Sequence, residues 1–237
     1  MSPRLTARVT GFLYLVIIAI AAIAEFFIRG KLVVGGDPAL TAANILASEQ
    51  LYRLAGAIDF VVLFCDICVA LLLYLLLRPA GGGLSLLAAF FRLVFSAIMG
   101  AAILFHFVPL ILLKDPTYAG AFSTAQIQSL ATLSLKLHGV LYAVGLLFFG
   151  VHCVLIGVLI ARATFLPRII GWLLAIAGLG YLLNSAAVLF YPPLEAVVFP
   201  YALLPGLVAE SALALWLMVV GVNAAKWEEQ ARHMPAV

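Results

Sequence analysis

The chain has 237 residues, of which 66% are hydrophobic and 10% are charged, whereas a soluble domain carries about 25% charged residues. This composition excludes an ordinary soluble domain and predicts an all-α integral membrane protein whose solvent is lipid. The net charge of +3 is spread along the chain without a basic stripe, which argues against a nucleic-acid partner.

Six apolar stretches predict a six-transmembrane-helix bundle that forms a single domain over residues 1–237. A helix needs about 20 apolar residues to cross the bilayer. The predicted spans are residues 9–28, 52–77, 84–113, 127–161, 166–191 and 199–222. The first span has an alternative interpretation, because Arg4, Arg8 and a short apolar run that ends in Ala-Ile-Ala at 22–24 also resemble a signal peptide with its cleavage site.

Local signals mark several helix boundaries. After the first span, residues 41–50 predict a short interfacial helix. Pro109 predicts a bend in the third span. Ser123 followed by Gln126 predicts a capping box at the start of the fourth. Pro205 predicts either the true start of the sixth span or a kink in it.

Lysine and arginine residues in short loops predict the orientation, because cytoplasmic loops carry an excess of these residues. One side holds Arg4, Arg8, Arg78, Arg162, Arg168, Lys226 and Arg232; the other holds Arg29, Lys31 and Lys114, with Arg53 at a helix start. We therefore expect both termini in the cytoplasm, which an even number of spans also requires.

Ionisable residues inside the spans are the main functional signal, because charges within a bilayer are costly and mark sites. Depth follows from counting residues from the cytoplasmic helix ends at about 1.5 Å each. Four residues from four helices share a depth of about 12 to 18 Å. This inner group consists of Arg92, His152, Asp66 and Glu210.

A second group lies about 27 to 36 Å from the cytoplasmic ends, near the outer interface. It consists of Asp59, His106 and His138. Residues seven or fourteen apart return to nearly the same helix face, and these spacings relate Asp59 to Asp66, His106 to Arg92, and His138 to His152. We expect these faces to point into the bundle, because lipid cannot satisfy polar groups.

Energetics predict how the inner group is paired. Each Arg or Asp at mid-bilayer costs about 2.5–3.5 kcal/mol on insertion scales. The guanidinium of Arg92 can bind one carboxylate bidentately. The second carboxylate then needs His152 as imidazolium, or a proton of its own. We therefore expect that Asp66 and Glu210 are not both ionised and unpaired.

Two interpretations of the inner group stay open. It is either a proton or substrate site, or an internal staple in which Asp66 and Arg92 fix the helix register. The staple fits bundles in lipid, which are held together by polar contacts and by small residues that allow close approach. Two pairs of small residues have the spacing for such an approach: Ser96 with Gly100, and Gly171 with Ala175.

The outer histidines raise the question of a cofactor. His106 and His138 have the chemistry to ligate a haem, or to begin a zinc site. The alternative, which we prefer, is that both histidines bond to loops or water and that the protein has no cofactor. No hydrolase motif and no phosphate-binding glycine-rich loop occurs, so no catalytic residue or metal ligand is assigned and an enzyme is disfavoured.

Several segments together resemble a known family. They are ARVTGFLY at 7–14, NILASE at 44–49, YRL at 52–54, LYLLLRP at 73–79, LAAFFRL at 87–93, GLLFFGVH at 145–152 and FLPR at 165–168. In this order they are similar to the bacterial multi-pass membrane family known as domain of unknown function 4386. The resemblance implies a bacterial cytoplasmic (inner) membrane location, and it implies no activity.

The sequence thus favours a small-solute transport, proton-relay or ligand-sensing module in the bilayer. In this hypothesis Arg92 is the fixed charge, Asp66 and Glu210 accept protons or cations, and His152 changes protonation near neutral pH. One alternative is a structural or helper membrane subunit whose charges are internal staples. Another is a haem- or metal-dependent membrane enzyme. No particular protein partner is indicated.

Overall fold

The computed structural model describes residues 1–199 and 201–233, and the regular elements among them are all helical. In chain order they are α1 (Pro3–Ala22, extended by a π-helical segment, Ile23–Arg29, and a last turn, Gly30–Leu32), α2 (Pro38–Ala47), α3 (Glu49–Leu77, followed by a 3-10 turn, Arg78–Ala80), α4 (Gly82–Lys114), α5 (Pro116–Ala121), α6 (Thr124–Arg162), α7 (Arg168–Phe190), α8 (Pro192–Val198), α9 (Leu204–Val219) and α10 (Ala224–Arg232).

Five of these helical stretches are long and apolar enough to cross a membrane, so the protein is a multi-pass membrane protein. They are α1 with its extension, α3, α4, α6 and α7. A sixth span requires α9, which has 16 residues and is bent by 100° from α10. At about 1.5 Å per residue α9 is about 24 Å long, shorter than the hydrocarbon core of about 30 Å. In the part of the chain that the structure describes, the helices able to span a membrane therefore number five or six.

The predicted boundary signals have clear outcomes. The capping box is confirmed, because Ser123 N–H donates to Gln126 Oε1 at 2.8 Å and Gln126 N–H donates to Ser123 Oγ at 3.4 Å. The short helix predicted at 41–50 is α2, which begins earlier because Asp37 accepts the Leu40 N–H at 2.9 Å. Pro205 lies in the first turn of α9, so it marks the start of this helix. α4 continues through Pro109, and the bend predicted there stays a prediction.

Contacts divide the chain into two compact units, which are described separately. The Arg92 unit comprises Met1–Ile17, Phe64–Ala97 and the described residues from Ala143 onward. The Arg29 unit comprises Ile18–Leu63 and Ile98–Tyr142. α1, α3, α4 and α6 therefore each contribute residues to both units. That the whole chain forms one domain stays a prediction.

In the Arg92 unit, α6 and α7 pack backbone against backbone. A Cβ atom on Gly157 would collide with the Gly171 carbonyl oxygen and the Ala175 nitrogen. A Cβ atom on Gly178 would collide with the Gly150 carbonyl oxygen. This contact confirms the close approach predicted from Gly171 and Ala175, and it fixes the rotation of α7 about its own axis.

The same unit contains α10, which turns away from α9 after Gly221. Gly221 has φ +75°, in the left-handed region that favours glycine. The side chain of Asn223 then caps α10 by accepting the Lys226 N–H. Trp227 donates its indole N–H to the Leu76 carbonyl at 2.8 Å, which attaches α10 to the end of α3.

The Arg29 unit has its own apolar core, built around Tyr52. This side chain is fully buried. Its cluster contains Ala24, Ile28, Leu32, Ile45, Ala55 and Leu110. The π-helical segment places Glu25 beside Arg29, with Nε and Oε2 2.8 Å apart. The residues of the alternative cleavage site, 22–24, lie inside α1 and Ala24 is fully buried.

Candidate functional site

Arg92 is the centre of a buried polar cluster in the Arg92 unit. Its side chain has no solvent exposure. Nε and Nη2 donate to the same carboxylate oxygen, Oδ1 of Asp66, at 3.0 and 2.6 Å. The second oxygen of Asp66, Oδ2, lies 2.5 Å from the hydroxyl of Ser96. Both oxygens of Asp66 are therefore occupied, and its charge is neutralised by Arg92.

His152 occupies the other side of the guanidinium. Its Nε2 lies 3.2 Å from Nη1 of Arg92, and its Nδ1 lies 2.8 Å from the carbonyl oxygen of Ala88. A guanidinium only donates and a carbonyl only accepts. Nδ1 must therefore carry the proton and Nε2 must be the acceptor, which is the neutral imidazole. His152 therefore pairs with the Arg92 cation, whereas the sequence predicted it as a partner for the second carboxylate.

Two aromatic rings enclose the guanidinium carbon of Arg92. It lies 4.7 Å from the centroid of the Tyr14 ring and 5.3 Å from that of Phe149. Arginine above such rings is stabilised by the ring quadrupole. These rings also replace water around the charge, which explains how an arginine is buried completely in an apolar bundle.

Glu210 lies in the same cluster but has different partners. The hydroxyl of Tyr14 donates to its Oε2 at 2.9 Å, and the hydroxyl of Tyr181 donates to its Oε1. Gly206, one turn before Glu210 on α9, has Tyr181 against the position that a Cβ atom would occupy. Because Tyr14 also contacts Arg92, Glu210 is connected to the cation through a phenol ring.

The structure thus brings together the four residues of the inner group from α3, α4, α6 and α9, and adds tyrosines from α1 and α7. Each of the four is buried. The cluster contains one fixed cation, Arg92, one carboxylate that it neutralises, Asp66, and one carboxylate, Glu210, whose hydrogen bonds come from neutral hydroxyls.

Asp59, from the outer group, belongs to the Arg29 unit and forms an ion pair with Arg29. The two carboxylate oxygens meet Nη1 and Nη2 at 2.9 and 3.0 Å, which is a bidentate fork. The side chains of Arg29 and Asp59 are 13% and 16% exposed. The bidentate geometry that the sequence suggested for Arg92 therefore occurs at Arg29.

His106 stacks on Tyr52, with ring centroids 4.1 Å apart. The Tyr52 hydroxyl donates to the His106 carbonyl, and His106 Nε2 lies 3.0 Å from the Tyr52 carbonyl. His138 Nδ1 lies 2.9 Å from the Ala102 carbonyl. The reciprocal bonds of Tyr52 and His106 hold α3 against α4, and the His138 contact joins α6 to α4, all within the Arg29 unit.

The rings of His106 and His138 have centroids 6.2 Å apart. Among the residues that the structure describes, no three His, Cys, Asp or Glu side chains are grouped to hold a metal ion. The prediction that the protein has no cofactor, and the alternative of haem or zinc at these two histidines, would be tested by a search for a Soret band and by elemental analysis of the purified protein.

The chain is similar to known proteins over most of its length. The family model described as Domain of unknown function (DUF4386) matches residues 9–221. The chain belongs to this family. An uncharacterized protein of Archaeoglobus fulgidus is 27% identical to this DUF4386 protein over 171 residues, which cover 72% of the chain and 85% of the relative. No solved structure matches the chain. The family resemblance predicted from the sequence is therefore confirmed.

Sequence reasoning missed four polar partners in this DUF4386 protein. Tyr14 and Tyr181 lie within apolar spans, where a tyrosine is easily taken as part of the lipid-facing or core surface. Ser96 is four residues after Arg92 and shares its helix face, a signal that was available. Arg29 was assigned to a loop, because the predicted span ended at residue 28 and did not include the π-helical segment.

Proposed function

We propose that this protein is a proton-binding membrane module of the transport, relay or sensing class, in which Glu210 takes up and releases the proton. One observation carries the proposal: the two buried carboxylates have unequal partners. Asp66 contacts the guanidinium of Arg92, whereas Glu210 receives its hydrogen bonds from the hydroxyls of Tyr14 and Tyr181.

Charge balance explains why this inequality points to a proton. With Arg92 positive, Asp66 negative and His152 neutral, an ionised Glu210 leaves the cluster with one net negative charge. A net charge in a low-dielectric, water-poor interior is costly. A proton on Glu210 makes the cluster neutral, so Glu210 is the group whose charge can change while the ion pair stays intact.

The proposal alters the roles expected from the sequence. Arg92 keeps the role of fixed cation. Asp66 becomes its permanent counter-ion, and His152 becomes a neutral acceptor that orients the guanidinium. Tyr14 and Tyr181 are suited to exchange protons with Glu210, because a hydroxyl both donates and accepts a hydrogen bond.

We further propose that the protein resides in the bacterial cytoplasmic membrane with six spans and both termini in the cytoplasm. The excess of arginine and lysine at one set of helix ends supports this orientation. The interacting environment is the lipid bilayer, with a proton or small solute as the ligand and no nucleic acid.

Infrared difference spectroscopy on the protein in liposomes tests the role of Glu210. We expect a protonated-carboxyl C=O band that changes between acidic and alkaline buffer in the wild type and is absent in Glu210→Gln. Asp59→Asn is the matched control, because Asp59 pairs with Arg29 outside the cluster, and the band should persist in it. A band that survives Glu210→Gln, or that disappears in Asp59→Asn, would overturn the proposal.

The second candidate is a helper or structural subunit whose charges are internal staples. It is favoured by the complete pairing of Arg92, which has a carboxylate, an imidazole and two rings around it and no solvent exposure. This function predicts that Arg92 variants unfold, while Glu210→Gln changes neither the infrared spectrum nor proton flux into dye-loaded liposomes.

A further inference from the structure

Beyond Tyr181, the buried face of α7 carries two polar side chains that the cluster does not use. Asn184 and Ser185 follow Tyr181 at the third and fourth positions, so all three share one helix face. Asn184 is 5% exposed and Ser185 is fully buried. Within residues 1–199 and 201–233, Asn184 Oδ1 and Ser185 Oγ have no hydrogen-bond partner.

Such atoms require an explanation, because buried polar groups are nearly always paired. A buried acceptor or hydroxyl without a partner destabilises a fold more than one made hydrogen bond stabilises it. Buried water commonly satisfies groups of this kind, and each such water makes about three hydrogen bonds. Two neighbouring unpaired groups on one face provide several of the contacts that water needs.

The packing of α7 is different on the two sides of Tyr181. Toward its N-terminus the same face carries Leu174, Ala177 and Gly178, and Gly178 is closed against the backbone of Gly150. Toward its C-terminus the face carries the unpaired polar atoms, and the helix ends at Phe190, which is exposed. From Ser185 to Phe190 is about 7 Å along the helix axis.

We propose that Asn184 and Ser185 bind ordered water molecules that connect Tyr181 and Glu210 to the Phe190 end of α7, and that this is the route by which protons reach Glu210. The inference rests on the proposed function, because it supplies the access path for the same proton. It also assigns a direction: the proton enters and leaves along α7 rather than through the Arg92–Asp66 pair.

The chemistry of the route is balanced. Each water and each hydroxyl along it accepts one proton from one neighbour and donates one to the next, so no atom gains a lasting charge. Ser185 and Tyr181 take part in this transfer because each has a hydroxyl. Asn184 holds water through its Oδ1 atom and does not itself carry the proton.

Radiolytic hydroxyl labelling with mass spectrometry tests for the water directly, in the full-length protein in liposomes. Ordered water beside a tyrosine generates radicals in place, so we expect Tyr181 to be labelled although it is buried. Labelling should fall in Asn184→Leu and in Ser185→Ala. No labelling of Tyr181 in the wild type would overturn the inference, and this measurement requires no variant to fold.

The rate of Glu210 protonation after a pH jump, followed by time-resolved infrared spectroscopy, tests the route. Losing one water-bridging hydrogen bond should slow it about tenfold in Ser185→Ala. Ser85→Ala is the matched control, because the hydroxyl of Ser85 is also buried but donates to the Tyr74 carbonyl at 2.9 Å. Equal rates in the wild type and in Ser185→Ala would exclude the route.

These outcomes separate the two proposals. If Glu210→Gln shows that Glu210 binds no proton, the proposed function fails, and the labelling of Tyr181 still reports whether water is bound at Asn184 and Ser185. If Glu210 does bind a proton but the labelling is absent and the rate is unchanged, the α7 route alone is wrong.

Discussion

Replacing Asp66 with Asn removes the counter-ion of Arg92 while nearly preserving side-chain volume. Breaking one partner of a buried ion pair costs about 3–5 kcal/mol, because the remaining charge is uncompensated. After this change Arg92 keeps the Nε2 atom of His152 and the rings of Tyr14 and Phe149. We therefore expect a loss near the lower limit, about 3 kcal/mol of unfolding free energy.

The reverse change, Arg92→Met, should cost more. It leaves the Asp66 carboxylate with the single hydroxyl of Ser96, so we expect a loss near the upper limit, about 5 kcal/mol, unless Asp66 takes up a proton. The double variant should lose less than the sum of the two single losses, with a coupling energy of about 2–3 kcal/mol. The double variant no longer contains a lone buried charge.

Unfolding by SDS in mixed micelles, followed by circular dichroism, measures these free energies. Asp59→Asn is the matched control, since its pair with Arg29 has the same chemistry but the two side chains are 13% and 16% exposed. Arg29 keeps its ion pair with the exposed carboxylate of Glu25 after this change, so we expect the smaller loss of about 1 kcal/mol. If the Asp66 and Arg92 variants lose no more than the Asp59 variant, or if their losses simply add, the argument from burial is refuted.

Three further predictions concern positions outside the ion pair. Gly206→Ala should displace the Tyr181 ring and cost about 1–3 kcal/mol, with the Tyr181 phenol vibration shifted in the infrared spectrum. Gly171→Leu should separate α6 from α7 and lower the melting temperature in detergent, whereas an unchanged melting temperature would contradict the backbone contact. The backbone N–H and the hydroxyl of Thr117 hold the pKa of Asp115 below its ordinary value, so this cap stabilises α5 above about pH 4 and is lost as the pH falls further. The protection of the α5 amides, measured relative to their intrinsic exchange rates, should fall in acid, and Asp115→Ala should show the low protection at every pH.

The four side chains of the inner group lie together, as counting along the helices predicted, because position along a helix is a one-dimensional quantity; their depth in the bilayer stays a prediction. The rise per residue is constant in a helix, so counting from the helix ends places residues such as Asp66 and Arg92 at one level. Hydrophobicity identified most of the spans, because a span is also recognised from a count of apolar residues along one helix. Helical phase predicted burial of His106 and His152, both of which are buried. Whether these residues bind a ligand stays a prediction.

The sequence did not predict which groups pair, because pairing depends on how each helix is rotated and how closely it approaches its neighbours. Gly157 and Gly171 let α6 and α7 touch, and that contact sets the face that α7 presents. Tyr181 reaches Glu210 because Gly206 lacks a side chain. None of these relations is visible as a local pattern of residue types.

The last predicted span also shows what the sequence could not predict. Residues 199–222 are apolar apart from Glu210 and Ser211, and hydropathy alone predicts one continuous helix there, although Pro205 predicted a later start or a kink. The structure begins α9 at Leu204 and ends it at Val219, and the chain then turns through Gly221 into α10. Backbone conformation and the Asn223 cap, rather than hydrophobicity, set these limits.

By itself the sequence determined the membrane class, from composition, and the family, from short motifs; from the count along each helix it predicted that the inner group shares one depth. Only the tertiary structure decided that Asp66 receives the guanidinium and that Glu210 receives two phenols. The reason is geometric: Arg92 has one set of donors, and the side chain that meets them is chosen by the packing of helices distant in sequence. That choice leaves Glu210 as the carboxylate for which a proton makes the cluster neutral.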